Sequence, residues 1–269
     1  MSKIPLTNAQ LMQQAPALFT EEPYYEVSKK YHFIQTIEVI NEIKKHNWYP
    51  VSVSEANVRN EEKEGYQQHL VKFRHFDDLL NPQENAVELL LFNSHDRSKS
   101  FTISAGIFRY VCSNGLVLAE NVFESYKIKH LGERENDVAL AIANITAIKP
   151  KLMQKIQMLE SIKLSQPEKE SFAKSSLPLR FEDHLQIDHK DLLLPHREED
   201  TKDDLYTVLN VIQENLLRGN IKGMNKQSGR AFTSKAITSI TKDVDINQGL
   251  WDIAERVASI KEPSYQMAA

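Results

Sequence analysis

The residue order predicts an α+β protein: an N-terminal antiparallel β-sheet with flanking helices, followed by a helical C-terminal half. Three observations carry that prediction. Short apolar runs bounded by polar turns fill residues 50–117. Beyond them, apolar residues recur at helical spacing, at 138, 141, 142, 145, 148, 152, 156, 159 and 162. Strands therefore precede helices instead of alternating with them, which argues against βαβ units. The 269 residues suit one large domain or two intimate smaller ones. The expected division is a β-rich core with N-terminal helices over 1–133 and a helical region packing on it over 134–269, as one integrated domain.

The elements follow in order. Thr7 caps a short helix over 6–20, ended by Pro16. Phe33, Ile37, Ile40 and Ile43 lie at helical spacing over 33–46, and Asn47 and Pro50 stop that helix. Residues 50–59 and 68–75 read as strands separated by the polar "NEEKEGYQQ", and 86–94 reads as a largely buried strand. Over 100–112, Phe101, Ile103, Ala105 and Ile107 alternate with small or polar residues, then the apolar set shifts to Phe108, Tyr110 and Cys112. A one-residue slip beside Gly106 predicts a β-bulge that re-aims Arg109. Asn114-Gly115 predicts a type I′ turn into "LVLAE", since that turn needs positive φ at both central positions. A strand over 126–132, "YKIKHLG", closes the β-rich part. A helix over 135–163 is expected to kink or split at Pro150. "SQPE" at 165–168 is a capping box, and further helices are expected over 202–218 and 246–261.

Composition excludes several classes. Hydrophobic residues are 41% and charged residues 26%, ordinary for a globular protein. A net charge of −4 argues against a histone-like coating protein. Cys112 is the only cysteine, so neither an internal disulfide nor a Cys-based zinc site within one chain is available, and a reducing compartment is expected. No apolar run is long enough to span a bilayer, and "MSKIPLTNAQ" has no apolar signal core. The expectation is a cytoplasmic protein with no membrane partner and no cofactor.

Charge is unevenly placed. From Asn215 to Lys242 there is no acidic residue, while Arg218, Lys222, Lys226, Arg230, Lys235 and Lys242 are positive. Gly219, Gly223 and Gly229 fall in the same stretch, out of eight glycines in the chain. Cations on a glycine-bearing connection, with the hydroxyls and amides of "SGRAFTSKAI", suit phosphate groups. A solvated basic loop balanced by acidic helices would look the same. Arg109, Lys127 and Lys129, with Arg97, form a second candidate basic strip on the sheet, with Tyr110 and Tyr126 as the nearest stacking rings.

Other candidates read as structure. "NSHDRSKS" (93–100) offers His95 and Asp96 as an acid–base or metal pair, but Asn93 and Asp96 also suit a polar loop in which they bond their own backbone. Cys112 sits among apolar residues, which predicts an inert buried thiol. The runs 180–191 and 196–204 hold His184, His189 and His196 among carboxylates, yet lack a compact metal-ligand spacing, so no metal site is assigned.

The stretch "LLLFNSHDRSKSFTISAGIFRYVCSNGLVLAENVFESYKIKHLG" resembles the core of the phage/plasmid-like protein family of unknown function. The family pattern falls on Asn93 to Ser98, then Gly106, Arg109, Cys112, Asn114 and Gly115, then Lys127 to His130, with Arg97 standing where the loop usually has glycine. Arg197 to Asp200, Glu214-Asn215, the Arg230 region and Asn247 to Trp251 also match. The resemblance covers about residues 6 to 258. It implies a protein of prophages, phages and conjugative plasmids, often encoded near functions in single-stranded DNA handling or evasion of host defence. In outline, a β-rich core followed by helices is similar to phage strand-annealing proteins of the Red-beta kind. The leading expectation is non-enzymatic binding of single-stranded DNA by Arg218, Lys222, Lys226, Arg230 and Lys235, with Arg109, Lys127, Lys129 and Arg97 as the second strip. Strand annealing by a homo-oligomer would extend that role. Alternatives are an anti-defence protein that blocks a host DNA-acting enzyme, and a metal-dependent nuclease using the carboxylates of 180–204, with Glu198 and Asp200 the ones to replace.

Overall fold

Thr7 does cap the first helix: its Oγ1 accepts the Gln10 N–H and its own N–H donates to Gln10 Oε1 at 2.9 Å. In the computed structural model, which describes residues 4–27, 33–58, 60–110, 114–117, 126–127 and 134–262, this helix is α1 (Asn8–Gln14), followed by a 3₁₀ turn at Pro16–Phe19. Side chains over 114–117, 126–127 and 134–137 are outside the description. After α1 come α2 (Thr36–Lys45), β1 (Trp48–Glu55), β2 (His69–His75), α3 (Phe76–Leu80), β3 (Asn85–Asn93) and β4 (Thr102–Arg109). Then follow β5 (Asn114–Val117), β6 (Tyr126–Lys127), α4 (Arg134–Ser161) and α5 (Gln166–Ser176). The chain continues with β7 (Leu185–Ile187), α6 (Leu205–Arg218), β8 (Lys222–Asn225), β9 (Arg230–Thr233) and α7 (Ile240–Lys261). The architecture is α+β. The described residues divide into two compact units, Met1–Tyr110 with Phe123–Lys149, and Val111–Val122 with Pro150–Ala269. The crossing falls within α4, beside Pro150.

In the first unit β1 to β4 form an antiparallel meander, and β6 pairs with β4. Directly opposed residues share a face, so Arg74, Glu88 and Gly106 lie on one side and Phe73, Leu89 and Ala105 on the other. All nine residues of β3 are buried. Both faces of the central strands are covered, which explains the apolar runs and the loss of clean alternation.

The expected bulge at Gly106 is absent. The β3–β4 register runs without a shift from Phe92↔Thr102 to Asn85↔Arg109, and the irregularity lies instead in β1, between Pro50 and Ser52. A slip in apolar phase needs no bulge when both faces are buried: Ile107 and Phe108 each meet a core. Asn114 and Gly115 likewise open β5 and do not form the reversal; residues 111–113 lie outside the described residues. Pro150 sits inside a continuous 28-residue α4 and does not divide it.

The second unit is helical with one small antiparallel sheet, ordered β7-β8-β9. Residues 205–216 of α6 are all buried, and Trp251 and Leu250 of α7 are fully enclosed. The capping box at Ser165 forms, with Glu168 Oε2 accepting from both the Ser165 N–H and its hydroxyl at 2.7 Å. Lys261 and these Ser165 donors hold the Glu168 carboxyl down to about 2. The segment expected to be a basic loop between the last helices is β8 and β9, a hairpin.

Candidate nucleic-acid interface

The hairpin begins where α6 ends. Gly219 takes φ +76 and donates its N–H to Asn215 O, and a Cβ there would lie 2.6 Å from the Lys235 backbone. That close approach lets Asn220 N–H reach Ser234 O at 2.8 Å and Ser234 N–H reach Ile221 O at 2.9 Å, tying the base of the hairpin. At the other end, Asn225 Oδ1 accepts the N–H groups of Gln227 and Ser228, and Gly229 at φ +66 completes the reversal. The glycines that sequence reading assigned to ligand approach thus answer to hairpin geometry.

Of the six cations in the acid-free stretch, Lys222, Lys226, Arg230 and Lys235 are exposed and make no ion pair among the described residues. Arg218 differs. Its Nη1 lies 2.8 Å from Glu214 Oε1. Glu214 is 2% exposed and also takes a bidentate pair from Arg197, 2.8 Å at each oxygen. Asp200 Oδ2 adds a third bond to Arg197 at 2.9 Å. These carboxylates hold the Arg197 guanidinium well above its usual pKa, Glu214 most of all. Two arginines and two carboxylates make a neutral cluster. Arg218 is exposed like the other four, but its charge is paired within that cluster.

One cation escaped the sequence reading. Arg180 donates from Nη2 to the Lys235 carbonyl, at the foot of the hairpin. It makes no ion pair with a described carboxylate, and burial lowers its pKa. The signal was weak, because Arg180 stands between Leu179 and Phe181 and before an acidic run. Glu214 was also missed as a site residue. Its signal was present: it stands four residues before Arg218, the spacing of a helical ion pair.

Of the second strip, Arg109 lies inside the protein. Arg109 is 1% exposed in the sheet and its Nη2 reaches Glu84 at 3.4 Å, so it cannot meet a polyanion at the surface in this fold. Lys127 is seen only as β6 backbone, opposite Thr102, and Lys129 and Cys112 lie outside the described residues. Tyr110 donates its hydroxyl to Asp78 O at 3.0 Å, and Tyr126 is described only by its backbone. Arg97 is exposed, at φ +63.

The His95–Asp96 pair also separates. His95 is fully buried, 3.5 Å from Thr36 Oγ1; the same hydroxyl lies 2.9 Å from His69 Nε2 and accepts Asn93 Nδ2 at 3.0 Å. Asp96 caps its own loop, accepting Ser98 N–H at 2.9 Å, and pairs with Lys63 at 3.3 Å. Among the described residues no group of three His, Cys, Asp or Glu side chains could hold a metal. His184 pairs with Glu182, His189 with Glu170 and Asp188, and His196 bonds Asn215 Oδ1 at 2.8 Å.

The family model described as "Domain of unknown function (DUF932)" matches residues 23–251. The chain belongs to the DUF932 family. Two relatives from Escherichia coli (strain K12), UPF0380 protein YafZ and UPF0380 protein YfjQ, are each 31% identical over 252 residues, covering 93% of this chain and 91% of the relative. No solved structure matches the chain. The DUF932 match spans both the sheet unit and the hairpin. Among the described residues, no helix is long and apolar enough to cross a membrane.

Proposed function

We propose that this DUF932 protein binds DNA without catalysis, gripping phosphates with Lys222, Lys226, Arg230 and Lys235, and that it does so as a protein of a mobile element. One observation carries the reading: four cations share a hairpin and its flank, all exposed, all without a carboxylate partner among the described residues. The contrast with Arg218, which has its own carboxylate, makes them the free charge of the segment. Exposed positive groups so placed act through counterion release, with little dependence on base sequence. A nuclease through the 180–204 carboxylates has less support, because Asp200 is committed to Arg197 and to the His196 N–H.

Fluorescence anisotropy with labelled single-stranded and duplex oligonucleotides of mixed sequence, from low to high salt, tests this. About four phosphate contacts give a slope of log K against log salt near −3 for a single strand, at roughly −0.7 per contact. Replacing Lys222, Lys226, Arg230 and Lys235 together by Glu abolishes binding, whereas Arg218→Ala leaves the slope unchanged. Salt-dependent binding that survives the fourfold reversal, or no binding by the unaltered protein, refutes the assignment.

A further inference from the structure

The small sheet has one open face. Opposed residues share a side, so Gln186, Met224 and Ala231 form one row and Lys222 and Thr233 the next. All five are exposed, and none is acidic. The opposite side carries Leu185, Ile187, Gly223, Asn225 and Phe232, all half-buried, and the exposed Arg230 at its turn end. It is closed further by Phe232, whose ring would lie 2.7 Å from a Cβ on Gly223. The sheet therefore half-covers its apolar side and leaves its other side in water. The middle of that other side is Met224, 42% exposed. A large unbranched apolar side chain left 42% exposed at the centre of a sheet face contributes less to folding than a buried one.

Its surroundings state what it could meet. Lys222 precedes it on the same face and Lys226 follows at the turn, while Arg230, opposed to Asn225, lies on the other side. Between the Lys222↔Thr233 and Asn225↔Arg230 pairs the ladder runs about 10 Å, at ~3.4 Å per residue. Cations at both ends bracket an uncharged centre made of a thioether, an alanine methyl, a threonine and an amide. Phosphates suit the ends; an unstacked base suits the centre, because thioethers make favourable contacts with aromatic rings. A duplex keeps its base faces stacked on each other and offers none to such a surface, while a single strand offers them freely.

Resting on the phosphate-binding reading above, we infer that the open β7–β9 face selects single-stranded DNA, with Met224 as the side chain on which an unpaired base lies. The phosphates of the same strand run between Lys222 at one end of the ladder and Lys226 at the other. Met224 is thus a specificity residue and contributes little to duplex affinity.

The test uses the full chain, a labelled oligo-dT and a hairpin duplex of equal phosphate number. Met224→Ala weakens oligo-dT binding roughly 3- to 10-fold and leaves duplex binding and the salt slope unchanged. Met224→Trp tightens oligo-dT binding alone. Both variants sit on an exposed face, and circular dichroism confirms that they fold. Equal changes on both probes, or none on either while the unaltered protein binds, overturn the role of Met224 but keep the phosphate reading. No binding of either probe by the unaltered protein overturns both.

Discussion

The two sheets of this protein handle charge in opposite ways. In the β1–β4 meander the charges are inside. Arg74 and Glu88 are opposed on neighbouring strands, 0% and 1% exposed, bonded at 3.0 Å through the guanidinium Nε. The Arg74 guanidinium lies 3.5 Å over the Phe108 ring and 4.8 Å over Tyr110. In the β7–β9 sheet the charges are outside and unpaired, and the apolar side chain at its open centre is the exception. A cation within a strand is thus no guide to a binding surface until its partners are known. Arg109 and Lys222 look alike in sequence, yet one is core and the other is free.

Removing single cations breaks or sharpens this contrast. Arg74→Ala leaves Glu88 charged and enclosed, and should cost about 3–5 kcal/mol. Lys222→Ala, Lys226→Ala and Arg230→Ala should each stay within about 0.5 kcal/mol. Urea denaturation of the full chain measures both sets. An Arg74→Ala cost below about 1 kcal/mol would show that the buried pair is dispensable.

Lowering the pH tests the closure of the larger sheet by a different route. Burial pushes His69 down to about 3, helped by the neighbouring His95, and pushes His95 down to about 4 against the opposing pull of the Ala17 backbone and Asp96. In the unfolded chain both titrate near ~6.5. The unfolded state therefore binds more protons below that value, and stability is lost as pH falls from ~6.5 toward 3–4. At pH 5 the loss is about 2 kcal/mol for each histidine. Glu55, paired with His69 across β1 and β2, acts in the opposite direction, since burial raises its pKa and its protonation favours the fold at low pH. With Trp251→Phe, Trp48 becomes the sole tryptophan, and its emission follows urea unfolding of the first unit at pH 7 and pH 5. Equal midpoints would contradict neutral, buried histidines. The exposed sheet has no such group and predicts no such dependence.

The same contrast explains what could be read from the residues alone. The long helices and the strands of the meander are visible because their apolar runs are long and enclosed. The hairpin is not, because "KGMN" and "RAFT" are four residues each and place only Met224 and Ala231 on one side and Phe232 on the other. Alternation misleads where both faces are covered, which is why the shift at Gly106 imitates a bulge. Burial of Arg109 follows from register, and register does not show in local sequence. Arg218 fails for a simpler reason: the acid-free stretch begins at Asn215, one residue after the carboxylate that pairs with it. Arg197, Asp200 and Glu214 meet in one cluster, and no spacing rule brings 197 to 214.

The smallest expected effect compares the two reversals. Gly229, directly before β9, stands at φ +66, and Arg97, after β3, at φ +63. Both positions are left-handed, but only one has the residue that adopts that region freely. An L side chain there costs about 1 kcal/mol, while glycine gives back about 0.5–1 kcal/mol through its freer unfolded chain. Arg97→Gly should therefore leave stability unchanged or raise it by up to about 0.5 kcal/mol, against a loss for glycine at an ordinary loop position. The loop's own bonds survive the change, since Ser94 Oγ accepts Lys99 N–H and Asp96 caps Ser98 without help from residue 97. A measured loss of 1 kcal/mol or more would mean that the exposed guanidinium holds this loop in place. It would also remove the strain argument that makes glycine the expected residue there.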